Sequence, residues 1–433
     1  MTSGETRSRR GSLAWLLAFL LCCQFAAGGI QHPVRAALSA LSGQPFLHAL
    51  PSGPGLPLLS PAGSKHVQAR PAGTKSPSWV RDGVIYEVFP RDFSQAGNLN
   101  GVTQQLDRLK DIGIPILWLM PIHPIGLKKR KGTYGSPYSI RDYYAIDPEL
   151  GTKADLLRLV RAAHRRGMKV IMDLVAGHTA WDSVMMKWPV FYKHNSLGRI
   201  ISPEPDWTDV AALDYSNPEL RSYLLRVAEY WVRNFGIDGY RCDAADRVPL
   251  DFWQALRAAL QDIKPEVFLL DEADRPDFLT AAFDADYSWP LFHSIEAAIA
   301  GQKPVSFIRD TWVNERASFP PEALHMRFID DHDEKRAVSK FGPQADLAAS
   351  ALIFTIDGVP LVYNGMETGD RTESGAPSLF ERLPISWKLS ERNTKFSPAF
   401  RELIALRRDH PALRSFSLQW IENSDSSRVL TYV

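Results

Sequence analysis

Hydrophobic and polar positions alternate in two ways along residues 79–415. Short runs rich in β-branched and aromatic residues predict buried strands, and longer stretches with an apolar residue every three or four positions predict amphipathic helices. The predicted strands cover residues 84–89, 116–120, 169–175, 237–243, 267–271, 285–288, 324–329 and 359–363. The predicted helices cover residues 102–112, 152–166, 218–235, 250–263 and 397–408.

This alternation predicts an α/β fold in which parallel strands are joined by crossover helices. Eight strands favour a closed (β/α)8 TIM barrel over an open doubly wound sheet. The open sheet would also carry a glycine-rich phosphate loop, which the sequence lacks. We therefore expect a barrel over residues 78–415.

Two segments do not fit the simple alternation. Residues 176–217 follow the third strand without clear helical spacing and are rich in Trp, Pro, Asp and Ser, which predicts a small irregular domain inserted there. After the closing helix, residues 418–421 and 428–433 have the pattern of two strands. Because two strands alone cannot bury an apolar face, residues 416–433 predict the start of a truncated C-terminal β domain.

The N-terminal segment has the pattern of a secretory signal peptide. Three arginines precede an apolar run over residues 13–27, and small residues follow it. The run is shorter than the roughly 20 apolar residues that span a bilayer, so a permanent membrane anchor is the weaker interpretation. We expect residues 1–28 to be a signal peptide and residues 29–77, rich in Pro, Gly, Ala and Ser, to be a disordered tether. The protein is then secreted or periplasmic.

Composition narrows the class of ligand. With 50 Lys+Arg against 49 Asp+Glu, the net charge of +1 provides no field for binding nucleic acid. Two of the three cysteines lie in the predicted signal peptide, so only Cys242 remains and no internal disulfide can form. The 12 Trp, 13 Tyr and 21 Phe suit stacking on flat ligand faces, although packing in the core explains most of them.

Acidic residues stand where the predicted strands end, which is where barrels carry their chemistry. These acids are Asp173, Asp243, Glu272, Asp330, Asp331 and Asp333. Phosphate-ester, metal-assisted and glycosidic chemistry all use such clusters. A metal site would need closely spaced histidines, but His178 and His332 follow different strands. Glycoside cleavage needs only two carboxyl groups, and the aromatic content favours sugars.

Five short segments together resemble the α-amylase family, glycoside hydrolase family 13, over residues 79–415. Each segment falls on or directly after a predicted strand, and all five occur in the family's order. They are residues 173–178, 239–243, 268–272, 328–333 and 358–367. The long segment after strand 3 corresponds to the family's domain B, and the C-terminal segment to the start of its β-sandwich.

The resemblance implies a retaining mechanism. Asp243 would be the nucleophile, Glu272 the general acid and base, and Asp333 the third catalytic carboxylate. Arg241 lies two residues before Asp243 on the same strand face, so we expect it to help keep Asp243 ionised. The other substrate-binding residues implied are Tyr138, His178 and His332.

The sequence departs from the family at its calcium site. Many members bind calcium through an asparagine just before the histidine of the first segment, and here that position is Gly177. We therefore expect no metal and no other cofactor, although calcium is left open by the resemblance.

Together with the signal-peptide pattern, which predicts secretion, the resemblance implies a secreted glycosidase that hydrolyses α-1,4-glucosidic bonds of starch-like glucans or maltodextrins. Two alternatives remain: a transglycosylase or isomerising enzyme of the same family, and a catalytically silent sugar-binding scaffold.

Overall fold

The computed structural model describes residues 76–372, 376–388 and 395–433. The predicted signal peptide lies outside these residues, as does the predicted tether up to residue 75. Ser76 is already joined to the barrel, since its Oγ donates to the Asp284 carbonyl oxygen at 2.8 Å. Within the described residues, no helix combines the length and the apolar character needed to cross a membrane.

The described residues form ten strands, of which eight are parallel and build a barrel. The barrel strands are β1 (Ile85–Val88), β2 (Ile116–Leu119), β3 (Lys169–Val175), β6 (Gly239–Asp243), β7 (Phe268–Asp271), β8 (Asp286–Tyr287), β9 (His325–Arg327) and β10 (Val359–Tyr363). Each pairs with its neighbour in the chain, and β10 pairs with β1. A parallel bridge between Leu270 and Ala285 joins β7 to the chain that enters β8 and closes the ring. The predicted TIM barrel is confirmed.

Helices cover the outside of the barrel. Those of more than ten residues are Lys153–Arg165, Pro218–Phe235, Leu250–Gln261, Trp289–Ile299, Ser306–Ser318, Pro343–Thr355 and Phe396–Asp409. Local sequence sets their ends: Thr152 and Asp155 form a capping box at the first, and Gly236, with φ 72°, ends the second.

The single helix predicted over residues 102–112 is wrong. Two short helices, Leu99–Gln104 and Leu106–Asp111, meet at Gln105, whose ψ of 0° leaves the helical range. The first begins early because the Asn98 side chain accepts a hydrogen bond from the Gly101 amide.

Side chains alternate between the barrel interior and the layer beneath the helices. On β6, Tyr240 and Cys242 pack in the outer layer, and Arg241 and Asp243 point to the inside. Large apolar side chains, including Trp118, fill the interior below the mouth. The polar groups therefore collect at the carboxyl ends of the strands, above an apolar floor.

The segment after β3 is more ordered than predicted. Its strands β4 (His178–Ala180) and β5 (Val210–Ala212) form a two-stranded antiparallel sheet. At the C-terminus, Trp420 and Tyr432 form one antiparallel bridge, and the Trp420 ring meets that of Trp312 at 5.6 Å. Whether these two segments are separate domains stays a prediction.

Candidate active site

Arg241 is the centre of a cluster of carboxyl groups at the barrel mouth. Its Nη1 lies 2.9 Å from Asp173 Oδ1 and 3.1 Å from Asp243 Oδ1. Its Nη2 lies 2.5 Å from Glu272 Oε1, and its Nε donates to Tyr287 Oη at 3.1 Å. One fully buried guanidinium thus faces three acids from three adjacent strands.

Burial raises the pKa of Glu272, and the charge of Asp333 adds to this while Arg241 opposes it. A raised pKa suits a group that must donate a proton near neutral pH. Glu272 Oε2 is also held in place, since it accepts a hydrogen bond from the Ala244 amide at 2.7 Å.

Arg241 acts on Asp243 in the expected direction, since its positive charge lowers the pKa of Asp243. The contact is present, but burial raises the pKa of Asp243 well above its ordinary range, and Glu272 and Asp173 add to this against Arg241. Burial is the largest cause, and the single positive charge that opposes it is shared among three carboxyl groups. Asp243 Oδ2 is buried and has no hydrogen-bond partner among the described residues.

His332 is held by groups on both sides of its ring. Its Nδ1 lies 2.6 Å from Glu87 Oε1, and its Nε2 lies 2.7 Å from Tyr138 Oη and 3.3 Å from Asp333 Oδ2. Burial alone would lower the pKa of His332, but Asp333 and Glu87 outweigh it and raise this pKa well above 6.5. The imidazole is therefore positively charged, and it lowers the pKa of Asp333 despite that group's burial.

Sequence reasoning missed Glu87. The residue is fully buried on β1 and pairs with His332. A signal was present, because Glu87 is the one charged residue in the otherwise apolar predicted strand 84–89, near its carboxyl end.

His178 behaves differently from His332. Burial lowers the pKa of His178 to about 4, so its ring is neutral at neutral pH. Its Nδ1 is buried without a hydrogen-bond partner among the described residues, and its ring meets that of Trp207 edge-on at 5.5 Å. The imidazole can therefore offer a hydrogen bond to a ligand hydroxyl.

These groups surround a cavity of about 380 Å³. Of the predicted site residues, Tyr138, His178, Asp243, Glu272 and Asp333 line it. Arg241 and His332 contact these residues from behind. The remaining lining residues are Lys131, Ser136, Asp206, Trp207, Asp209, Val210, Leu379 and Phe380. Most of these come from loops, whose paths the strand pattern does not predict.

Three acids of the predicted ring, Asp173, Asp330 and Asp331, do not line the cavity, and Asp173 lies against Arg241. Asp330 Oδ2 accepts a hydrogen bond from the Ala337 amide, and Asp331 Oδ1 accepts from the amides of Asp333 and Glu334. They shape the turn that carries Asp333.

The position expected for calcium does not fit a cation. Gly177 offers no side chain, and a Cβ built on it would lie 3.9 Å from the Cβ of Arg247. Arg247 Nη1 pairs with Glu204 Oε1 at 2.6 Å, so this neighbouring carboxylate already has a cationic partner. Across residues 76–372, 376–388 and 395–433, no three His, Cys, Asp or Glu side chains are grouped to hold a metal. That calcium is not required stays a prediction.

Comparison with known families decides what kind of barrel this is. Residues 81–196 and 205–428 match the family described as the α-amylase catalytic domain. The chain belongs to the α-amylase family. This confirms the resemblance that the five segments carry.

Curated relatives and solved structures agree with this assignment. The chain is 30% identical over 351 residues to alpha-amylase MalA of Haloarcula japonica, covering 78% of this chain and 50% of the relative. It is 27% identical to a cyclomaltodextrinase of Geobacillus thermopakistaniensis, covering 83% of this chain and 67% of the relative. The chain thus spans half to about two thirds of the length of these relatives.

Among solved structures, the chain is similar to the noncanonic maltogenic alpha-amylase AmyB from Thermotoga neapolitana. The TM-score is 0.76 at 34% identity, over 82% of this chain and 83% of that one. It is also similar to an alpha-amylase from Lactobacillus plantarum, with a TM-score of 0.75 at 36% identity, over 82% and 86% of the two chains.

Proposed function

We propose that the protein is a retaining glycosidase that hydrolyses α-1,4-glucosidic bonds of starch-like glucans or maltodextrins through a covalent glycosyl-enzyme. The observation that carries the proposal is the contact of Arg241 with both Asp243 and Glu272 at the wall of one cavity. Two carboxyl groups on one guanidinium lie close together. This favours the spacing of about 5–5.5 Å found in retaining enzymes over the wider spacing of inverting ones.

In the first step, Asp243 attacks the anomeric carbon of the sugar. A bond forms between its carboxylate oxygen and that carbon while the glycosidic C–O bond breaks. Glu272 gives its proton to the departing oxygen, for which its raised pKa prepares it. Asp243 must react as the carboxylate, and Arg241 is the group that stabilises that form.

In the second step, water releases the sugar. Glu272, now ionised, removes a proton from the water, whose oxygen attacks the same carbon as the bond to Asp243 breaks. Both residues then return to their starting forms, and the configuration of the anomeric carbon is retained.

Neighbouring side chains orient the sugar and stabilise charge. Asp333 and the neutral His178 line the cavity and can hydrogen-bond to hydroxyl groups, and the ring of Tyr138 offers a stacking face. The charged His332 lies behind Tyr138 and Asp333 and fixes both.

The names of the relatives support an α-glucan as substrate. They include a cyclomaltodextrinase and a maltogenic alpha-amylase, and one similar structure is an alpha-amylase from Geobacillus thermoleovorans complexed with acarbose. Export from the cytoplasm is part of the proposal and rests only on the N-terminal sequence pattern. N-terminal sequencing of the protein recovered outside the cytoplasm would test it, and an uncleaved cytoplasmic chain would refute it.

The activity is tested by incubating the protein with maltooligosaccharides and separating the products by chromatography. The proposal predicts shorter oligosaccharides whose new anomeric centre is α when first observed by proton NMR. Predominantly longer products would indicate a transglycosylase, and unchanged substrate would indicate a silent sugar-binding scaffold.

A further inference from the structure

The loop after β2 places Lys131 at the rim of the active-site cavity. Its Nζ lies 2.5 Å from the Asp206 carbonyl oxygen and 3.2 Å from Asp209 Oδ1, both on the segment after β3. The same ammonium lies 5.7 Å from the centroid of the Phe380 ring, which belongs to the segment after β10. Lys131 therefore joins its own loop to two others, and the three loops begin at three different strands.

Backbone contacts fasten this loop to the segment after β10. The Tyr134 amide donates to the Phe380 carbonyl oxygen at 2.9 Å, and the Thr133 amide donates to Glu381 Oε1 at 2.9 Å. Gly132 has φ 59°, and a Cβ built on it would lie 2.5 Å from the Cβ of Phe380. A glycine is needed here because the two segments approach so closely.

The contact with the segment after β3 is electrostatic. Asp209 is 5% exposed, and Lys131 supplies the positive charge beside its carboxylate. A charge so far removed from water is costly to leave unpaired, so the lysine is held where it is. The loops after β10, β2 and β3 thus form one continuous wall along the cavity.

The order of strands around the ring fixes which side of the cavity this wall closes. In an eight-stranded ring, β7 stands four places from β1 and therefore opposite it. Glu272 follows β7, and the Lys131 loop and the Phe380 segment follow β2 and β10, the two neighbours of β1. A general acid stands beside the leaving group that it protonates. The wall consequently lies on the other side, where the non-reducing part of the glucan must extend.

We propose that Lys131 closes the cavity on its non-reducing side, so that the enzyme acts on short maltooligosaccharides and chain ends rather than on interior bonds of long glucans. This inference rests on the proposed function. A chain cut in its interior must leave the site in both directions, and the wall lies across one of them. A free non-reducing end, by contrast, can stop against Lys131 and Phe380.

End-capped substrates test this directly. Maltoheptaose labelled at its reducing end is prepared in two forms, one with a free non-reducing glucose and one with O4 and O6 of that glucose blocked. We expect the wild-type protein to cleave the free form at least about tenfold faster by kcat/KM. In Lys131→Ala, the ratio between the two forms should fall towards one, because removing the side chain opens the wall.

Lys128→Ala is the matched control, because Lys128 is an exposed lysine of the same loop outside the cavity lining. It should keep the wild-type ratio, and thermal unfolding verifies that both variants are folded. Equal cleavage of the two forms by the wild type, or a ratio unchanged in Lys131→Ala, would overturn the inference while leaving hydrolysis established. No cleavage of either form by the wild type would overturn the proposed function and this inference with it.

Discussion

Two buried arginines on barrel strands face carboxyl groups with opposite results. At the mouth, Arg241 faces Asp173, Asp243 and Glu272, and the pKa of each of these acids is raised because burial exceeds what one cation can offset. Their charges are therefore held at a cost in free energy.

On the outer face of the barrel, the positive charge of Arg327 is fully balanced by buried carboxylates. Its Nη1 pairs with Glu315, and its Nη2 lies 3.0 Å from Asp357 Oδ1. Arg316 adds a second cation 3.1 Å from Asp357 Oδ2. Burial would raise the pKa values of Glu315 and Asp357, but the arginines outweigh it and both values lie below normal.

The difference separates stabilisation from catalysis. Acids in the Arg327 cluster are ionised and satisfied, which suits a structural role joining β9 to a helix. Acids in the Arg241 cluster compete for one charge, which is the arrangement expected where a carboxyl group must hold and release a proton. Substitutions should therefore affect activity at one cluster and stability at the other.

The largest effect is expected from Asp243→Asn. Loss of the nucleophile should lower kcat/KM on maltooligosaccharides by about 10⁴-fold, while the thermal midpoint stays the same or rises because the crowded cluster loses a carboxyl group that is costly to ionise. Steady-state kinetics and thermal unfolding measure the two quantities. Activity within about tenfold of the wild type would remove Asp243 from its role.

Glu315→Gln should produce the reverse pattern. Removing the Glu315 carboxylate leaves the buried positive charge of Arg327 without one of its negative partners. This should lower the free energy of unfolding by about 3 kcal/mol. Urea unfolding measures this cost, and kcat of the folded variant should stay close to that of the wild type. A variant that unfolds like the wild type would show that the Arg327 cluster contributes little stability.

The pH dependence of stability should differ in sign between the clusters. Glu272 has a raised pKa in the folded protein. Its contribution to folding stability is therefore fully present below the pKa that Glu272 has in the unfolded chain, and it is lost as the pH rises through its pKa in the folded protein. Asp357 has a lowered pKa in the folded protein. Its contribution to folding stability is therefore present above the pKa that Asp357 has in the unfolded chain, and it is lost as the pH falls through its pKa in the folded protein.

Glu272→Gln should therefore flatten the decline in stability on the alkaline side, and Asp357→Asn the decline on the acid side. Each removes a slope of up to about 1.4 kcal/mol per pH unit. Unfolding free energies measured from pH 3 to pH 9 compare the two variants. If both variants flatten the stability curve on the same side of the pH range, the two clusters do not differ in the sign of their pH dependence.

Chelation should have the smallest effect. Because Gly177 supplies no ligand and Arg247 lies beside it, treatment with EDTA should shift the thermal midpoint by less than about 1 °C. Adding calcium to the treated protein serves as the control. A marked loss of stability, restored by calcium, would show that the protein binds the metal elsewhere.

Much of the Arg241 cluster could be predicted from the sequence, whereas the Arg327 cluster could not. Asp243 ends a buried strand and Glu272 directly follows one, so strand periodicity and the family segments both locate them. Arg327 also lies on a strand, but Glu315 lies on the helix Ser306–Ser318, which was not predicted. That helix buries an acid on its packed face, so the apolar periodicity that identifies helices is weak there.

Lys131 and Glu87 show two other limits of prediction. Glu87 stood out in its strand, but its partner His332 is 245 positions away in the chain. Lys131 acts through loop contacts with Asp209 and Phe380, and loop paths depend on tertiary packing rather than on local pattern.

The identity of the nucleophile is tested most directly by trapping the intermediate. A fluorinated glucosyl fluoride that slows the second step is incubated with the protein, which is then digested and analysed by mass spectrometry. We predict one glycosyl adduct, carried by the carboxyl group of Asp243 and absent from Asp243→Asn. An adduct on another residue, or product released with inverted configuration and no adduct, would contradict the mechanism.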